Sequence, residues 1–268
     1  MSPRAQHAAS PVLLAITIAA VLFTVLPMLV SLSAALMQNY SIGFAGGLTT
    51  HWLEEVWSHY ADTLWRSLAI ALLCVASTIL VGVPCAYAVA RSPSRAMRAF
   101  EELLTLPIAV PGLATALALI LAYGTLSGFR QSPAFILAGH VIFTLPFMVR
   151  TVAAAFARGD LRALEEAARS LGANFTQRFL GVLVPAVLPS IAAASLMVFT
   201  LSIGEFNLTW MLHTPFTRTL PVGLADSYAS MRLEIGSAYT LIFFIATLPV
   251  LWCLQAVAHF VQRHHGTH

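Results

Sequence analysis

The sequence contains no lysine, because all 14 of its basic residues are arginines. A phosphate-binding P-loop has the pattern Gly-x-x-x-x-Gly-Lys, so the chain cannot carry an ordinary nucleotide-hydrolysing loop. The same absence excludes catalysis through a lysine Schiff base. If ATP drives this protein, another subunit must hydrolyse it.

Charge is also scarce. Only 9% of the 268 residues are charged and 59% are hydrophobic, whereas soluble domains carry about 25% charged residues. The mean hydropathy is +0.82. This composition predicts an integral membrane protein with lipid around it. The net charge of +3 is spread over loops and does not indicate a nucleic-acid partner.

Cysteine is rare too, with three residues in the chain, Cys74, Cys85 and Cys253. All three fall in predicted membrane spans and show neither a Cys-x-x-Cys pattern nor metal-ligand spacing. We interpret them as small apolar residues that fill space between helices. The sequence therefore predicts no metal site and no cofactor.

Six segments are apolar enough, and about 20 residues long, as a membrane-crossing helix requires. They are residues 12–36, 66–90, 103–123, 133–149, 182–207 and 237–260. The first exceeds the 7–15 apolar residues of a signal peptide, so we interpret it as an uncleaved anchor. The prediction is an all-α polytopic protein with one transmembrane domain over residues 1–268.

Two connecting segments and one span carry further signals. Residues 37–64 are polar and aromatic and predict a loop, and residues 210–236 are long enough for a short surface helix. In the third span, Pro107, Pro111 and Gly112 predict a kink, since proline removes a helical hydrogen bond.

The stretch from residue 160 to 185 is too polar to cross a membrane, although apolar runs flank it. It predicts a helix over residues 161–171 that Asp160 caps and that a Glu165–Arg169 pair stabilises. Gly172 can adopt the left-handed conformation that ends a helix. Asn174 and Gln177 then form a capping box for a second helix. The small side chains near Gly172 would let another protein approach the backbone closely.

This stretch resembles the EAA loop of the permease subunits of binding-protein-dependent ABC importers. The family pattern appears as Glu166-Ala167-Ala168, then Gly172, then Val182-Leu183-Val184-Pro185. The resemblance covers residues 63–260 and is strongest in the EAA loop, residues 160–185. It extends to Ser67, Ala86-Tyr87-Ala88 and Arg91 in the second span. It implies that the ATPase-coupling residues are Glu166, Ala167, Ala168, Gly172 and Pro185.

The resemblance also implies the partners. The chain would be a permease subunit of a type I importer in a bacterial inner membrane, paired with a second copy or with a related permease. An ATPase dimer would receive the coupling helices, and a periplasmic solute-binding protein would deliver solute. In this interpretation the chain is a transport subunit without catalytic residues of its own, and is not an enzyme.

The arginines predict the orientation of the chain, because cytoplasmic loops carry an excess of basic residues. With the EAA loop inside, ten arginines are cytoplasmic and four are outside. The cytoplasmic set is Arg4, Arg91, Arg95, Arg98, Arg150, Arg158, Arg162, Arg169, Arg178 and Arg263. The outer set is Arg66, Arg130, Arg218 and Arg232. Six spans then place both termini in the cytoplasm.

Polar residues inside the predicted spans are candidates for the translocation path. They are His140, Glu205 and Asn207. The alternative for His140 is a hydrogen bond to a neighbouring helix, and for Glu205 a bonded carboxylate at the outer interface. The C-terminal His264, His265 and His268 have a residue type that binds metals, but we interpret them as part of a frayed tail.

The substrate is predicted from a local resemblance. Gly204-Glu205-Phe206, followed by Thr219-Leu220-Pro221-Val222, is similar to permeases for polyamines, aminoalkylphosphonates and ferric iron. Sulfate and molybdate permeases share the Gly-Glu-Phe, so ferric iron, sulfate and molybdate stay as alternatives. We expect a small amino-bearing solute, such as a polyamine or 2-aminoethylphosphonate. A membrane enzyme or receptor with an accidental EAA-like loop is the alternative of another class, although the sequence shows no hydrolase motif.

Overall fold

The computed structural model describes residues 11–265, with side chains to residue 256 and that of Ala258. Within this range the chain is helical and forms no strand, apart from one isolated bridge between Met37 and Leu48. The helices are α1 (Pro11–Ala34), α2 (His51–Arg91), α3 (Arg95–Ala109), α4 (Gly112–Tyr123), α5 (Ser127–Arg130), α6 (Pro133–Phe156), α7 (Gly159–Ser170), α8 (Phe175–Arg178), α9 (Val184–Ile203), α10 (Asn207–Leu212), α11 (Leu220–Ala229) and α12 (Leu233–His265). The all-α prediction is confirmed.

Among residues 11–265, five helices are long and apolar enough to cross a membrane, or six if a bent helix pair counts as one span. The bent pair is α3 with α4, whose axes meet at 109°. The kink predicted in the third span, residues 103–123, is therefore confirmed, and it is a complete break between two helices. Val110 is extended and precedes Pro111. Because a proline disfavours helical backbone in the preceding residue, the helix ends at Ala109 and restarts at Gly112.

The predicted loop over residues 37–64 is wrong from His51 onward, where α2 begins. Residues 51–65 are amphipathic rather than uniformly polar. Val56 and Leu64 are buried, while Trp57 and Trp65 are exposed, and this spacing is typical of a helix with one packed face. A 41-residue helix therefore replaces the predicted 25-residue span.

Other boundaries differ as well. Helix α6 continues to Phe156, and α12 begins at Leu233 and runs to His265. Residues 210–236 contain a helix, as predicted, but Leu220 and Val222 on α11 are almost fully buried. The expectation of a surface helix is therefore wrong at the N-terminal end of α11.

The described chain divides into two compact units. Residues 11–59 with 224–243 form one unit, and residues 60–223 with 244–265 form the other. In the first unit the Trp52 indole donates to the Met37 carbonyl at 2.9 Å. The Glu234 carboxylate accepts from the Tyr40 amide at 2.9 Å, and Arg232 pairs with Glu55 at 2.6 Å. These bonds fix the segment before α2 to the start of α12.

In the second unit the core lies among α2, α6 and α9. Cys74, Met148, Phe156 and Val198 are each 0% exposed and belong to one apolar cluster. Gly139 lies where α6 meets α10, since a Cβ atom there would lie 2.5 Å from Leu208 Cδ2. Small residues at such crossings let membrane helices approach closely.

Candidate functional site

We call residues 159–185 the elbow. Gly172 has φ +84° and ends α7. Its amide donates to the Arg169 carbonyl at 3.0 Å, and the Ala173 amide donates to the Ala168 carbonyl at 3.1 Å. These two bonds form a Schellman motif. The predicted left-handed glycine is confirmed.

The second half of the elbow begins with the predicted capping box. Asn174 Oδ1 accepts from the Gln177 amide, and Gln177 Oε1 accepts from the Asn174 amide, both at 2.9 Å. The box satisfies two amides that helix formation leaves without partners. Gly172 and Asn174 together set the angle between α7 and α8.

Two predicted contacts of the elbow are wrong. Arg158, not Asp160, occupies the N-cap position of α7, and Asp160 pairs with Arg158 at 2.7 Å. Glu165 does not pair with Arg169. Its Oε2 accepts from Arg91 Nε at 2.9 Å, and its Oε1 accepts from the Tyr87 hydroxyl at 2.6 Å. These partners lie on α2, and they hold Glu165 in a half-buried site where a charge pair is less screened than on the surface.

Arg91 connects three helices. Besides the bond to Glu165 on α7, its Nη1 donates to the Phe156 carbonyl at the end of α6, at 2.9 Å. The Tyr87 ring packs within 5.4–5.8 Å of three phenylalanine rings, measured between centroids. Those rings belong to Phe156, Phe175 and Phe179. This aromatic cluster supports the elbow from the side of the membrane helices.

The outer surface of the elbow carries the EAA residues. Glu166, Ala167 and Gly172 are exposed, whereas Ala168 and Pro185 are half-buried. Leu171 is 89% exposed at the bend, and a Cβ atom at Gly172 would meet nothing within 4 Å. An exposed leucine beside an open backbone is a surface that a partner protein can cover.

Pro185 follows a π-helical turn over Phe179–Leu183. The Val184 amide donates to the Phe179 carbonyl, five residues earlier. Proline has no amide hydrogen, so a regular α-helical bond at this position is impossible. Such single π turns are frequent at functional sites.

A second group of polar residues, which we call the polar cluster, surrounds His140. The cluster comprises Ser67, His140, Ser202, Glu205, Thr209 and Thr219. His140 is 2% exposed. Its Nδ1 lies 2.8 Å from the Ser202 hydroxyl and its Nε2 lies 2.7 Å from the Thr209 hydroxyl. The predicted alternative for His140, a bond to a neighbouring helix, describes this geometry.

The hydrogen-bond directions around His140 follow from Glu205. The Thr209 hydroxyl donates to Glu205 Oε2 at 3.0 Å, because a carboxylate only accepts. His140 Nε2 must then donate to Thr209. In the neutral ring Nδ1 is left to accept from Ser202. The cluster is therefore an ordered chain of donors that ends on one carboxylate.

Glu205 also accepts from the amides of Leu208 and Thr209, at 2.9 Å each. It thus caps the start of α10, where the helix dipole favours a negative charge. A Cβ atom at Gly112 would lie 3.6 Å from Glu205 Oε1 and 3.4 Å from Asn207 Cβ. The break between α3 and α4 therefore meets the break between α9 and α10. Asn207 is exposed at this junction.

The segment before α11 completes the polar cluster. The Ser67 hydroxyl accepts from the Leu220 amide at 2.8 Å, and Arg66 Nη1 donates to the Arg218 carbonyl at 2.7 Å. Thr219 is 2% exposed, and its hydroxyl has no partner among the described residues. The space between Thr219, Glu205 and His140 is too narrow for a water molecule. The cluster is closed in this conformation.

Sequence reasoning identified His140 and Glu205 because ionisable residues are rare in membrane helices. It missed Ser202 and Thr209 as partners of these residues, because hydroxyl side chains are common there and give no signal alone. Ser67 and Thr219 were noticed only through the resemblance. Within the described residues no group of three histidine, cysteine, aspartate or glutamate residues could hold a metal. The side chains of His264 and His265, and all of His268, lie outside the described part.

The family of binding-protein-dependent transport system inner membrane components matches residues 78–264. The chain is similar to the putative 2-aminoethylphosphonate transport system permease protein PhnV of Salmonella choleraesuis. The two are 26% identical over 98% of each chain. It is 30% identical to the molybdenum transport system permease protein ModB of Mycobacterium bovis, over 68% of this chain and 73% of that one.

The fold is similar to that of a bacterial ABC transporter involved in the import of the acidic polysaccharide alginate. The TM-score is 0.70 at 16% identity, and the match covers 92% of this chain and 94% of that chain. The matched family region contains the whole elbow and most of the polar cluster. The chain therefore belongs to the family of binding-protein-dependent transport system inner membrane components, and is a multi-pass permease subunit of a type I ABC importer.

Proposed function

We propose that the elbow is the surface through which this permease contacts a separate ATPase, and that the solute is small, polar and amino-bearing. The observation that carries the first part is the exposed bend. Gly172 and Leu171 face open space, while Glu165, one residue before the EAA sequence, is held by Arg91. One face of α7 is anchored and the other is free for a partner.

The proposed complex has two permeases, either two copies or this chain with a relative. Each elbow contacts one subunit of an ATPase dimer in the cytoplasm, which places both termini on that side. A periplasmic binding protein delivers the solute. ATP hydrolysis takes place in the ATPase alone, which agrees with the absence of lysine and hence of an ordinary P-loop in this chain.

The proposed solute class is supported by the residues that line the closed space of the polar cluster. They include the carboxylate of Glu205 and three hydroxyl side chains, and no arginine is among them. A carboxylate in an apolar setting favours a cationic group, such as the ammonium of an amino-bearing solute. The similarity to PhnV spans 98% of both chains and supports an aminoalkylphosphonate. The similarity to ModB supports the molybdate alternative over a smaller share of the chain.

Purification of the wild-type chain from its native membrane in mild detergent tests the first part. We expect a P-loop ATPase to co-purify, with a second permease if the complex is heteromeric. Recovery of the chain alone, under conditions mild enough to retain partners, would contradict the proposal and favour a membrane enzyme or receptor. The ATPase identified in this way would also lead to the binding protein, whose ligand can be measured directly.

Gly172→Asp should reduce the recovery of the ATPase severalfold. The left-handed backbone at Gly172 is unfavourable by roughly 1–2 kcal/mol for a residue with a Cβ atom. The new carboxylate would also project from the exposed bend. Gly128→Asp is the matched control, since Gly128 lies on α5, outside the elbow, and also has nothing within 4 Å of its Cβ position. Normal uptake and normal ATPase recovery in Gly172→Asp would contradict the assignment of the elbow.

Glu205→Gln should reduce solute uptake about tenfold, which corresponds to ~1.4 kcal/mol, while the ATPase still co-purifies. A glutamine has one acceptor oxygen in place of two, and it is neutral. Uptake of radiolabelled 2-aminoethylphosphonate, putrescine and molybdate measures both the loss and the specificity. Glu101→Gln on α3 is the control. Unchanged uptake of every solute would contradict a role for Glu205 in the translocation path and leave it only the role of capping α10.

A further inference from the structure

We propose that the part of α2 from Ser67 to Arg91 transmits movement of the elbow to the polar cluster, with Arg91 and Ser67 as the two positioning residues. We call this segment the rod. The inference rests on the proposed function of the elbow as the contact with the ATPase. Ser67 and Arg91 are separated by 91 − 67 = 24 residues of one helix. At about 1.5 Å per residue they lie roughly 36 Å apart along its axis.

The Arg91 end of the rod is attached to the elbow by charge. The side chains of Arg91 and Glu165 are 17% and 16% exposed, so solvent screens their pair only partly. The second bond, from Arg91 Nη1 to the Phe156 carbonyl, fixes the plane of the guanidinium. A lysine could not make both bonds in this fork geometry. Movement of α7 is therefore transferred to Arg91.

The Ser67 end is attached to the segment before α11. Leu220 is the first residue of α11, so its amide has no acceptor within that helix. The Ser67 hydroxyl, on a residue that is 4% exposed, supplies the acceptor. Arg66 holds the carbonyl of Arg218 beside it. The two bonds thus hold the residues on either side of Thr219. Thr219 lines the closed space together with Glu205 and His140.

Between its ends, α2 packs through Cys74, Val83 and Ala86, each at most 4% exposed. The Cys74 thiol lies 3.2 Å from the Thr144 hydroxyl on α6. Pro84 removes one helical hydrogen bond within this segment, but the buried Val83 and Ala86 beside it pack against the neighbouring helices. We therefore expect α2 to move as a unit. A shift of α2 along its axis must then lengthen or break the bond from Leu220 to Ser67. Coupling over such a distance requires an element with two discrete arrangements, and the closed cluster and its opened form are those two.

Hydrogen exchange tests the rod without knowledge of the solute. The purified complex of this chain with its ATPase is compared with and without a non-hydrolysable ATP analogue. In the wild type we expect the analogue to change the exchange of the peptide over residues 217–223. In Arg91→Ala and Ser67→Ala that change should fall by about fivefold or more, the lower range of allosteric coupling. Arg95→Ala and Ser77→Ala are matched controls and should respond as the wild type does.

The outcomes separate the rod from the proposed function. If no ATPase co-purifies with the wild type, the proposed function fails before the rod is tested. If it does, an unchanged peptide 217–223 in the wild type overturns the rod. Full responses in Arg91→Ala and Ser67→Ala overturn it as well. If Arg91→Ala does not assemble, Ser67→Ala decides alone, since Ser67 lies far from the elbow. Ser67→Thr keeps the hydroxyl and should respond to the analogue as the wild type does. If Ser67 had only a structural role, Ser67→Ala would lower the melting temperature but leave the response to the analogue unchanged.

Discussion

Phe156→Ala should lower the free energy of unfolding by about 3–5 kcal/mol, as expected for deletion of a fully buried aromatic ring. Phe156 is 0% exposed. Its ring packs edge-on against Tyr87, with centroids 5.7 Å apart, and stacks on Phe179 at 6.4 Å. Its backbone carbonyl accepts from Arg91. The cavity would lie under the elbow, so we expect weaker ATPase recovery as well as lower stability.

The melting temperature in detergent and the ATPase recovery measure these two effects. Phe175→Ala is the matched control, because Phe175 belongs to the same aromatic cluster but is 53% exposed. It should change stability by no more than about 1 kcal/mol, since little area is lost from the core. A melting temperature of Phe156→Ala equal to that of the wild type would show that the aromatic cluster does not support the elbow.

His140→Leu should lower the free energy of unfolding by about 1–3 kcal/mol. Leucine fills much of the volume of the imidazole but offers neither donor nor acceptor. The buried Ser202 hydroxyl would lose its acceptor, and a buried polar group that loses its partner costs roughly 1–3 kcal/mol. The Thr209 hydroxyl would lose the donor His140 but keep Glu205 as its acceptor. Because Thr209 also donates to Glu205, the substitution should loosen the cap of α10 too.

His213→Leu is the control for this substitution, since His213 is half-buried and its Nδ1 bonds to the carbonyl of Trp210, three residues earlier in the chain. We expect its melting temperature to stay close to that of the wild type. His140→Gln should recover part of the loss, because a glutamine amide can still donate toward Thr209. If His140→Leu and His213→Leu have the same melting temperature, the hydroxyls of the polar cluster have other partners in solution.

The elbow was predictable from the sequence because its signals are local. A left-handed glycine after a helix and a capping box of four residues depend only on neighbours in the chain. Gly172 and the pair Asn174 and Gln177 therefore have the conformations that their sequence predicts. Membrane spans were also predictable, since their length and apolarity are fixed by the bilayer.

Long-range partners were not predictable by the same rules. Glu165 has Arg169 at the favourable i,i+4 spacing, yet it bonds to Arg91, which lies 74 residues away. An exposed helical pair contributes only about 0.3–0.5 kcal/mol, so a half-buried partner with a tyrosine beside it prevails. Likewise, Pro111 predicts a kink, but the 109° angle is set by what α4 packs against, including α10.

The polar cluster shows an intermediate case. The rarity of His140 and Glu205 in apolar segments marks both residues, but it does not reveal which hydroxyls surround them. Those hydroxyls come from four different helices or segments, and only the tertiary fold brings them to one place. The sequence can therefore predict which groups need partners, and the structure is required to identify the partners.

The π turn over Phe179–Leu183, near the end of the elbow, has a consequence for the direction in which the exposed bend points. One π turn accommodates one extra residue in a helix, and one residue corresponds to about 100° around an α-helix axis. The turn over Phe179–Leu183 thus determines the direction in which Leu171 and Gly172 point relative to α9. The number of residues between Gly172 and Pro185 therefore sets the rotation of the bend about the axis of α9 as well as its distance along that axis. Two permeases that differ there by one residue would present their elbows in different directions.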